Sequence, residues 1–398
     1  MKRVAEKIGL RKNKDESTSK TSTQTPSSPG PTQKAETTAP TNSNTPATSN
    51  TTVTNDKMSS SIPKTMKAAV LDGVDKPLVI KEVPVPTAGP GEILIKVHAC
   101  GVCHSDHHVL HGDMGPPGID ILGHEFVGTV VAVPDGEKKW QVGDRVGGPW
   151  HGGHDGTCRS CCRGEFQMCT NKTINGVMRN GGYAQYATLR TEAAVRIPKE
   201  ADPAEVAPLL CAGVTVFNGI RQMKITAGEV VAVQGLGGLG HLAIQYARKM
   251  GFRTVALSRG NDKKDFAMKL GATDYIDTKA EDVGEALQKL GGAALIVVTA
   301  PNPEVITPLL GGLQNRGKLL IHVAIGPVQV DTVQMVLNAL SVHGWPSGHA
   351  LDSEEAIAFA ETHGVHCMIE KFPMEKANEA MEHMLSGKVR FRAVLTMD

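Results

Sequence analysis

Three residues of the chain, Cys103, His124 and Cys211, have side chains that suit a single metal ion. Cys103 lies in the motif C-G-V-C-H-S-D, His124 in G-H-E and Cys211 in P-L-L-C-A-G. Two thiolates and one imidazole, with water or substrate as the fourth ligand, are typical of a catalytic zinc site, whereas a structural zinc is closed by four protein ligands. The sequence therefore predicts a zinc ion with one open coordination position.

A glycine-rich turn, G-L-G-G-L-G, begins at Gly235 and lies between a β-branched apolar stretch and a helical one. In this context such a turn binds a dinucleotide, although a purely structural turn is the alternative. Gly235 permits the tight turn, Gly237 lets the backbone approach a pyrophosphate, and Gly240 lets the helix pack on the strand. Gly238 and Leu239 complete the turn at a helix N-terminus that favours phosphate. Together with the zinc ligands, the turn indicates zinc-assisted hydride transfer.

The residues that follow this turn by about twenty positions bear on the choice of nicotinamide cofactor. An acidic residue at the end of the second strand binds the ribose 2′-hydroxyl of NAD. This chain instead has Ser258 and Arg259, with Lys263 and Lys264 just beyond, and its nearest carboxylate, Asp262, lies past the predicted strand end. A hydroxyl and these cations suit a 2′-phosphate. The sequence therefore predicts a preference for NADP(H), with a solvated loop of charge as the alternative.

Composition excludes several classes of protein. The chain has 398 residues, enough for roughly two domains, and a net charge of +1 without a basic stripe, so no nucleic-acid partner is expected. It contains no run of 18 apolar residues and no apolar signal-peptide core, so no membrane association is expected. Residues 1–14 are basic, but Glu6, Asp15 and Glu16 argue against a transit peptide, which leaves a cytoplasmic location as the prediction.

The chain changes character twice along its length. Residues 17–63 are dominated by Ser, Thr, Pro and Asn, so we expect residues 1–64 to be a disordered tail that buries too little surface to offset its ordering entropy. Residues 66–200 alternate apolar and polar side chains in short runs, which predicts a mostly β domain. From Gly213 strands alternate with helical stretches, which predicts a parallel sheet with helices on both faces. The C-terminal residues carry a helix and a final strand that we expect to rejoin the β domain.

Taken together, these motifs resemble those of the zinc-containing medium-chain alcohol dehydrogenases over residues 65–398. G-D-R-V and L-C-A-G-V-T-V belong to the same pattern. The resemblance implies an α/β fold with a GroES-like, mostly β catalytic domain at residues 65–212 and 345–398. It also implies a doubly wound Rossmann domain at residues 213–344, an active site in the cleft between the two, and a homodimer or homotetramer.

The resemblance assigns roles to residues around the zinc. Asp106 and Glu125 fall where the family has carboxylates that orient the ligands. Ser105 matches the hydroxyl residue that hydrogen-bonds the substrate alcohol. His108 matches the outer histidine of a proton relay that runs from Ser105 through the cofactor ribose, and the adjacent His107 is the alternative.

The resemblance also assigns residues to the cofactor and the substrate. His104 and Arg392 match positions that contact the cofactor pyrophosphate. Met114 and Trp150 match two walls of the substrate pocket. Because methionine is flexible and adapts to irregular ligands, this pair predicts tolerance of longer or branched primary alcohols and aldehydes.

Four of the eight cysteines crowd between Cys158 and Cys169, which favours metal binding in a reducing compartment over disulfides. The family has a structural zinc lobe with the pattern C-x-x-C-x-x-C-x-x-G-x-x-x-x-C. In this register Cys158, Cys161 and Cys169 are ligands, and Asp155 stands in place of the first cysteine. A carboxylate is an acceptable zinc ligand. Cys162 is the alternative fourth ligand, with poorer spacing.

The predicted activity is reversible hydride transfer between NADP(H) and a primary alcohol or aldehyde. A biosynthetic enzyme that reduces one aldehyde or ketone of a secondary metabolite fits the same residues. A polyol or sugar dehydrogenase is the nearest alternative, and a zinc-free quinone or enoyl reductase shares the fold but does not need the three ligands. A non-catalytic dinucleotide-binding protein is the alternative from a different class.

Overall fold

The computed structural model describes residues 62–397, so the predicted disordered tail, residues 1–64, lies outside the described residues except for its last three. The described chain begins with short strands and few helices. The strands are β1 (Thr65–Val70), β2 (Val79–Pro84), β3 (Glu92–Gly101), β4 (Phe126–Ala132), β5 (Arg145–Gly148), β6 (His151–Gly153), β7 (Thr173–Ile174), β8 (Tyr186–Arg190) and β9 (Val195–Arg196). The helices are α1 (His104–Leu110), α2 (Pro203–Val206) and α3 (Ala212–Gln222).

Strands and helices then alternate regularly. The strands are β10 (Val230–Gln234), β11 (Arg253–Ser258), β12 (Asp274–Asp277), β13 (Ala293–Val298), β14 (Leu313–Ile321) and β15 (Ser341–Gly344). The helices are α4 (Gly240–Lys249), α5 (Lys264–Lys269), α6 (Val283–Lys289), α7 (Ile306–Leu310) and α8 (Thr332–Asn338). The six strands pair in parallel in the order β12-β11-β10-β13-β14-β15. This is a doubly wound sheet, in which ligands bind where the order reverses, beyond the carboxyl ends of β10 and β13.

The chain closes with α9 (Ala350–His363), β16 (Ile369–Pro373), α10 (Ala377–Leu385) and β17 (Arg392–Thr396). β17 pairs antiparallel with β3, so that Leu395 lies opposite Cys100. The resulting seven-stranded sheet has the order β16-β17-β3-β4-β5-β9, with β8 also paired to β3. The C-terminal residues therefore return to the sheet that the N-terminal described residues built.

Helix α3 joins the two sheets in one core. Nine of its eleven residues are buried, and it packs against α4 of the parallel sheet and against α9. One buried cluster accordingly combines Val127 of β4 with Val233 of β10 and Val394 of β17. Within the described residues no single helix is long and apolar enough to span a membrane, and only the bent pair Pro203–Leu210 with Ala212–Gln222 passes that test together.

Candidate active site

Four side chains from three separate segments converge on one point. Cys103 follows β3 and directly precedes α1, His124 and Glu125 directly precede β4, and Cys211 directly precedes α3. Because β3 and β4 are paired and the short 3₁₀ helix Ala207–Leu210, which leads into Cys211, packs against both strands, the ligand atoms of these four residues lie within 4.8 Å of one another. The structure thus brings together the three residues that the sequence predicts as catalytic zinc ligands, together with a carboxylate.

The carboxylate of Asp106 contacts several groups of this cluster. Its Oδ2 accepts the backbone N–H of Cys103 at 2.9 Å and the hydroxyl of Tyr183 at 3.0 Å, and its Oδ1 lies 3.2 Å from His124 Nδ1. The contact with Cys103 also caps the N-terminus of α1. Both ring nitrogens of His124 are buried without a hydrogen-bond partner among the described residues, and only Nδ1 has the carboxylate of Asp106 beside it. A buried polar atom without a partner is costly, so Nε2 faces a ligand that the protein does not itself supply.

The two thiols show why a cation suits this position. The thiol of Cys211 donates a hydrogen bond to Cys103, which lowers the pKa of Cys103 well below its usual range and raises that of Cys211 well above it. Two neighbouring buried thiolates destabilise each other unless positive charge lies between them. Zinc bound by two thiolates and one imidazole supplies that charge and leaves one coordination position free. The donor set of Cys103, His124 and Cys211 therefore fits zinc.

Glu125 forms a buried ion pair with Arg392. Arg392 Nη2 lies 2.5 Å from Glu125 Oε1 and donates to the carbonyl of Val102 at 3.0 Å. Burial raises the pKa of Glu125 to about 7, and Arg392 opposes that rise. Arg392 also borders the glycine turn, since a Cβ on Gly238 would lie 3.1 Å from its Cδ. The contact of Arg392 with a pyrophosphate stays a prediction, and the structure adds a link between the metal cluster and the turn.

The glycine turn joins β10 to α4. Gly235 has a φ of +95°, which a side chain would disfavour. A Cβ on Gly240 would lie 1.9 Å from the carbonyl oxygen of Gly235, so only glycine allows the helix to pack this closely. A Cβ on Gly237 would meet nothing within 4 Å among the described residues, which leaves this side of the backbone open to a ligand. Leu239 packs against the buried core and holds the turn in place.

A buried histidine in α4 ties this turn to the segment before β16. Nδ1 of His241 lies 3.1 Å from the carbonyl oxygen of Gly237, and Nε2 accepts the N–H of Met368 at 3.3 Å. Its ring stacks on Phe391 with centroids 4.9 Å apart. Burial lowers the pKa of His241 to about 4, so the neutral ring donates through Nδ1 and accepts through Nε2.

Cations gather between the glycine turn and the end of β11. Lys263 Nζ donates to the carbonyl of Leu236 at 3.1 Å. Burial lowers the pKa of Lys263, and the charges of Arg390 and Arg259 lower it further, so these three cations share one neighbourhood. Ser258 is partly buried at the end of β11.

The nearest carboxylate on the adjacent strand is committed to the backbone. Asp277 lies opposite Ser258 in the paired strands β11 and β12. Its Oδ1 accepts the N–H of Gly260 at 2.7 Å and that of Lys279 at 2.9 Å. Asp277 therefore holds the backbone of the turn after β11, while Lys263, Arg259 and Arg390 supply the positive charge.

Helix α1 carries the predicted proton path. Ser105 Oγ lies 3.8 Å from Sγ of Cys103, which places it beside the metal cluster. His108 Nδ1 lies 2.9 Å from Asp113 Oδ2, and this contact leaves Nε2 to exchange a proton. His104 is the first residue of the helix, and His107 packs against His108 of α1 and against His111, which directly follows the helix.

Trp150 forms a wall beside the metal cluster. Its ring meets that of His124 edge to face, with centroids 4.9 Å apart. Fully buried Asn175 holds this segment: its Nδ2 donates to the carbonyl of Pro149 at 2.7 Å, and its backbone N–H donates to that of Trp150 at 3.3 Å. Met114 lies in the loop after α1 and is 49% exposed. Its role as the other pocket wall stays a prediction.

The second predicted metal site also assembles. Ligand atoms of Asp155, Cys158, Cys161 and Cys169 lie within 4.8 Å of one another. The carboxylate of Asp155 accepts backbone N–H groups, including that of Cys158 at 3.1 Å, and these bonds lower its pKa. The exposed thiol of Cys162 donates instead to the carbonyl of Thr157 at 3.6 Å. Of the two alternatives for the fourth ligand, the geometry favours Asp155.

Several residues of the site escape sequence reasoning. They contribute single hydrogen bonds or charges from distant segments: Asp113, Asn175, Tyr183, His241 and Arg390. His241 is the one with a sequence signal, because it directly follows the last glycine of the turn. The others lie in loops or short strands where no periodicity marks them.

Comparison with known proteins places the chain in a family. Residues 89–199 match the model of the alcohol dehydrogenase GroES-like domain, and residues 238–362 match that of the zinc-binding dehydrogenases. The chain is 57% identical over 340 residues to alcohol dehydrogenase patD of Penicillium expansum, a match that covers 85% of this chain and 100% of the relative. The chain therefore belongs to the zinc-containing medium-chain alcohol dehydrogenases. It is an oxidoreductase of the alcohol dehydrogenase type, which excludes the non-catalytic alternative.

Solved structures confirm the α/β fold with GroES-like and Rossmann domains. The structure of CAD from Helicobacter pylori complexed with NADP(H) superposes with a TM-score of 0.73 at 26% identity and covers 83% of this chain and 98% of its own. The acetophenone reductase of Geotrichum candidum in complex with NAD gives a TM-score of 0.73 at 26% identity and covers 84% and 98%. These neighbours agree on a nicotinamide cofactor and differ in which one they hold.

Proposed function

We propose that the protein is a zinc-dependent alcohol dehydrogenase that transfers hydride reversibly between NADP(H) and a primary alcohol or aldehyde. The observation that carries this proposal is the convergence of Cys103, His124 and Cys211, with an unpartnered, buried Nε2 on the histidine. The glycine turn adjoins this cluster through Arg392. Metal and cofactor would thus meet in one cleft.

The residues around the cluster supply a path for the substrate proton. Zinc held by Cys103, His124 and Cys211 would act as a Lewis acid that lowers the pKa of an alcohol. Ser105 lies beside Cys103 and would accept the hydroxyl proton of the substrate while its own hydroxyl proton passes on towards His108. His108, whose Nδ1 is held by Asp113, would take up the proton at Nε2 and release it to solvent.

Metal analysis and paired variants test the catalytic zinc. We expect about two zinc ions per chain when both sites are filled. Cys103→Ser and His124→Ala should each remove one zinc and abolish turnover. Cys162→Ser, which changes an exposed cysteine outside both clusters, is the matched control and should retain both. Substantial turnover after either ligand change would overturn the mechanism.

We also propose a structural zinc bound by Asp155, Cys158, Cys161 and Cys169. Support comes from the proximity of the four ligand atoms and from the lowered pKa of Asp155, which keeps this carboxylate ionised. Because structural zinc contributes folding free energy, Asp155→Ala should lower the melting temperature and release one zinc. A single zinc per wild-type chain would refute this site.

The cations near the end of β11 support the proposed preference for NADP(H). Lys263, Arg259 and Arg390 would face a 2′-phosphate, and Ser258 would hydrogen-bond it. We expect a higher kcat/KM with NADP than with NAD, and a reversal in Ser258→Asp because the new carboxylate repels the phosphate. A wild type that uses NAD equally well or better would exclude this preference.

Two variants that each remove one positive charge test whether this site binds the 2′-phosphate or is only a charged surface loop. Lys263→Ala should lower kcat/KM with NADP more than with NAD, because Lys263 reaches the carbonyl of Leu236 in the glycine turn. Lys264→Ala removes the same charge one residue later, at an exposed position, and is the matched control. Equal effects of the two changes would favour a solvated loop of charge.

The substrate class is a primary alcohol or aldehyde with a long or branched chain, including an intermediate of secondary metabolism. The support is the aromatic wall of Trp150 beside His124 and the flexible Met114. A panel of aldehydes, ketones, polyols, sugars and quinones with NADPH or NADP would identify the preferred class. Highest kcat/KM for polyols or sugars would favour the alternative dehydrogenase.

We propose that the protein is a homodimer or homotetramer. β15 is the edge strand of the parallel sheet, and exposed apolar side chains of α8, among them Val336 at 80%, lie close to it in sequence. An exposed apolar patch and an open sheet edge each favour self-association. Light scattering should give a multiple of the chain mass, and Val336→Glu should shift it towards the monomer.

A further inference from the structure

Tyr183 is a fully buried tyrosine whose hydroxyl reaches the carboxylate behind the metal cluster. The hydroxyl donates to Asp106 Oδ2 at 3.0 Å, and the same oxygen accepts the N–H of Cys103 at 2.9 Å. The other oxygen of this carboxylate lies 3.2 Å from His124 Nδ1. One tyrosine hydroxyl is thus two contacts away from a predicted zinc ligand.

The surroundings of Tyr183 fix the position of this hydroxyl. Its backbone N–H donates to the carbonyl of Leu122 at 3.0 Å, and its own carbonyl accepts the N–H of Ala69 at 2.9 Å. Its ring lies so close to Gly123 that a Cβ there would be 2.5 Å from Cδ1. Because Gly123 directly precedes His124, the ring of Tyr183 packs against the backbone next to the predicted zinc ligand, and its hydroxyl reaches the carboxylate beside that ligand.

We propose that Tyr183 is a positioning residue for the catalytic zinc, which it holds through Asp106 and His124. A carboxylate with a single donor can turn about its Cβ–Cγ bond, whereas two donors on Oδ2 keep Oδ1 directed at the imidazole. An acceptor at Nδ1 fixes the ring and strengthens Nε2 as a ligand. The proposal rests on the zinc site proposed above and adds a residue from a loop that contains no ligand.

The test is the rate of zinc release from Tyr183→Phe, measured with an excess of the chromogenic chelator 4-(2-pyridylazo)resorcinol. Phenylalanine keeps the ring against Gly123 and removes only the hydroxyl. Loss of a partner in the outer shell weakens metal affinity by about 10–100-fold. Because Tyr183 acts through Asp106, we expect zinc release from Tyr183→Phe to be about tenfold faster than from the wild type, near the lower limit of that range. Cys103→Ser identifies which release phase belongs to the catalytic zinc.

A second buried tyrosine provides a matched control. Tyr246 donates its hydroxyl to the carbonyl of Ala356 at 3.0 Å, far from both clusters in sequence. Tyr246→Phe therefore deletes the same group at a similar cost in stability, and it should leave both release phases unchanged. Melting temperatures of the two variants establish that their folds are equally intact.

A double variant separates positioning from general loosening of the fold. In Asp106→Asn the carboxylate is gone, so adding Tyr183→Phe should change zinc release by less than about twofold if the two residues act as one unit. Three results would each overturn the role of Tyr183: zinc release from Tyr183→Phe at the wild-type rate, an equal increase of the release rate in Tyr246→Phe, or effects of Tyr183→Phe and Asp106→Asn on zinc release that are fully additive. A wild type without zinc at Cys103 would instead overturn the proposed function itself.

Discussion

Replacement of Asn175 by alanine tests how the wall of the substrate pocket is held. The side chain is fully buried, and its Nδ2 donates to the carbonyl of Pro149 at 2.7 Å. Its backbone N–H donates to the carbonyl of Trp150 at 3.3 Å. Asn175→Ala removes the first bond and retains the second, so Trp150 stays attached to its partner strand by the backbone alone.

The size of the effect follows from the groups left behind. The carbonyl of Pro149 loses its buried donor, which costs about 1–3 kcal/mol of stability. The edge-to-face contact of Trp150 with His124 adds about 0.5–1.5 kcal/mol, and part of it is lost when the segment moves. Since 1.36 kcal/mol corresponds to a tenfold change in rate, we expect the ratio of kcat/KM between short and bulky alcohols to change by up to about tenfold.

The assay is kcat/KM for a series of primary alcohols from short linear to branched and aromatic ones, together with urea unfolding. Asn218→Ala is the matched control, because Asn218 is also fully buried and its Nδ2 donates to the carbonyl of Ser347 at 2.9 Å. Both variants should lose about 1–3 kcal/mol of stability. Only Asn175→Ala should change the order of preferred substrates.

Two results would refute this reasoning. An unchanged ratio of kcat/KM between short and bulky alcohols in Asn175→Ala would show that Trp150 is held without this side chain. A parallel shift in Asn218→Ala would show that the change in preference reflects lower stability rather than the position of Trp150.

Three further predictions concern buried or paired groups. Gly219→Ala should lower the free energy of unfolding by about 1–3 kcal/mol, because a Cβ would lie 2.1 Å from Cε1 of His322. In urea titrations, adding His322→Ala should restore part of the lost stability. Burial lowers the pKa of His241 to about 4, so below about pH 6.5 this residue takes up a proton on unfolding, and the stability of the fold falls as the pH drops from 6.5 towards 4. His241→Phe should reduce this dependence on pH by up to about 1.4 kcal/mol per pH unit, and an unchanged slope would contradict the assignment. Asp113→Ala should lower kcat by up to about tenfold because Nδ1 of His108 loses its contact, and added imidazole should restore the rate. Full activity of this variant in the absence of imidazole would exclude this proton path.

Residue type and short motifs predicted the catalytic metal cluster, whereas the resemblance to the family predicted the second one. Cys103, His124 and Cys211 have side chains that are scarce outside metal sites in this arrangement, and each lies in a short motif. The same holds for Gly235 and Gly240, because a positive φ and a contact of 1.9 Å leave no room for a side chain. The roles of such residues can be predicted without knowledge of the fold.

Long-range contacts escaped prediction because sequence spacing carries no information about them. Tyr183 and Asp106 are 77 residues apart, and Arg392 and Glu125 are 267 apart. In the sequence, neither the tyrosine of one loop nor the arginine that begins the last strand shows which residue it will pair with, because only the folded sheets bring these partners together. Arg392 shows the limit well: the resemblance assigned it to the cofactor, and the structure pairs it with Glu125 behind the metal cluster.

The sequence by itself predicted the chemistry that we propose for this protein, through the three candidate zinc ligands and the glycine turn, and it predicted the succession of a β part and a parallel α/β part. The tertiary structure decided which groups support that chemistry. Pairing of β3 with β4 and packing of Ala207–Leu210 against both strands bring the ligand atoms within 4.8 Å of one another, and only in the folded chain do Tyr183, Asn175 and His241 meet their partners. The reason is that a ligand is recognised by its own functional group, whereas a positioning residue is defined by what lies next to it.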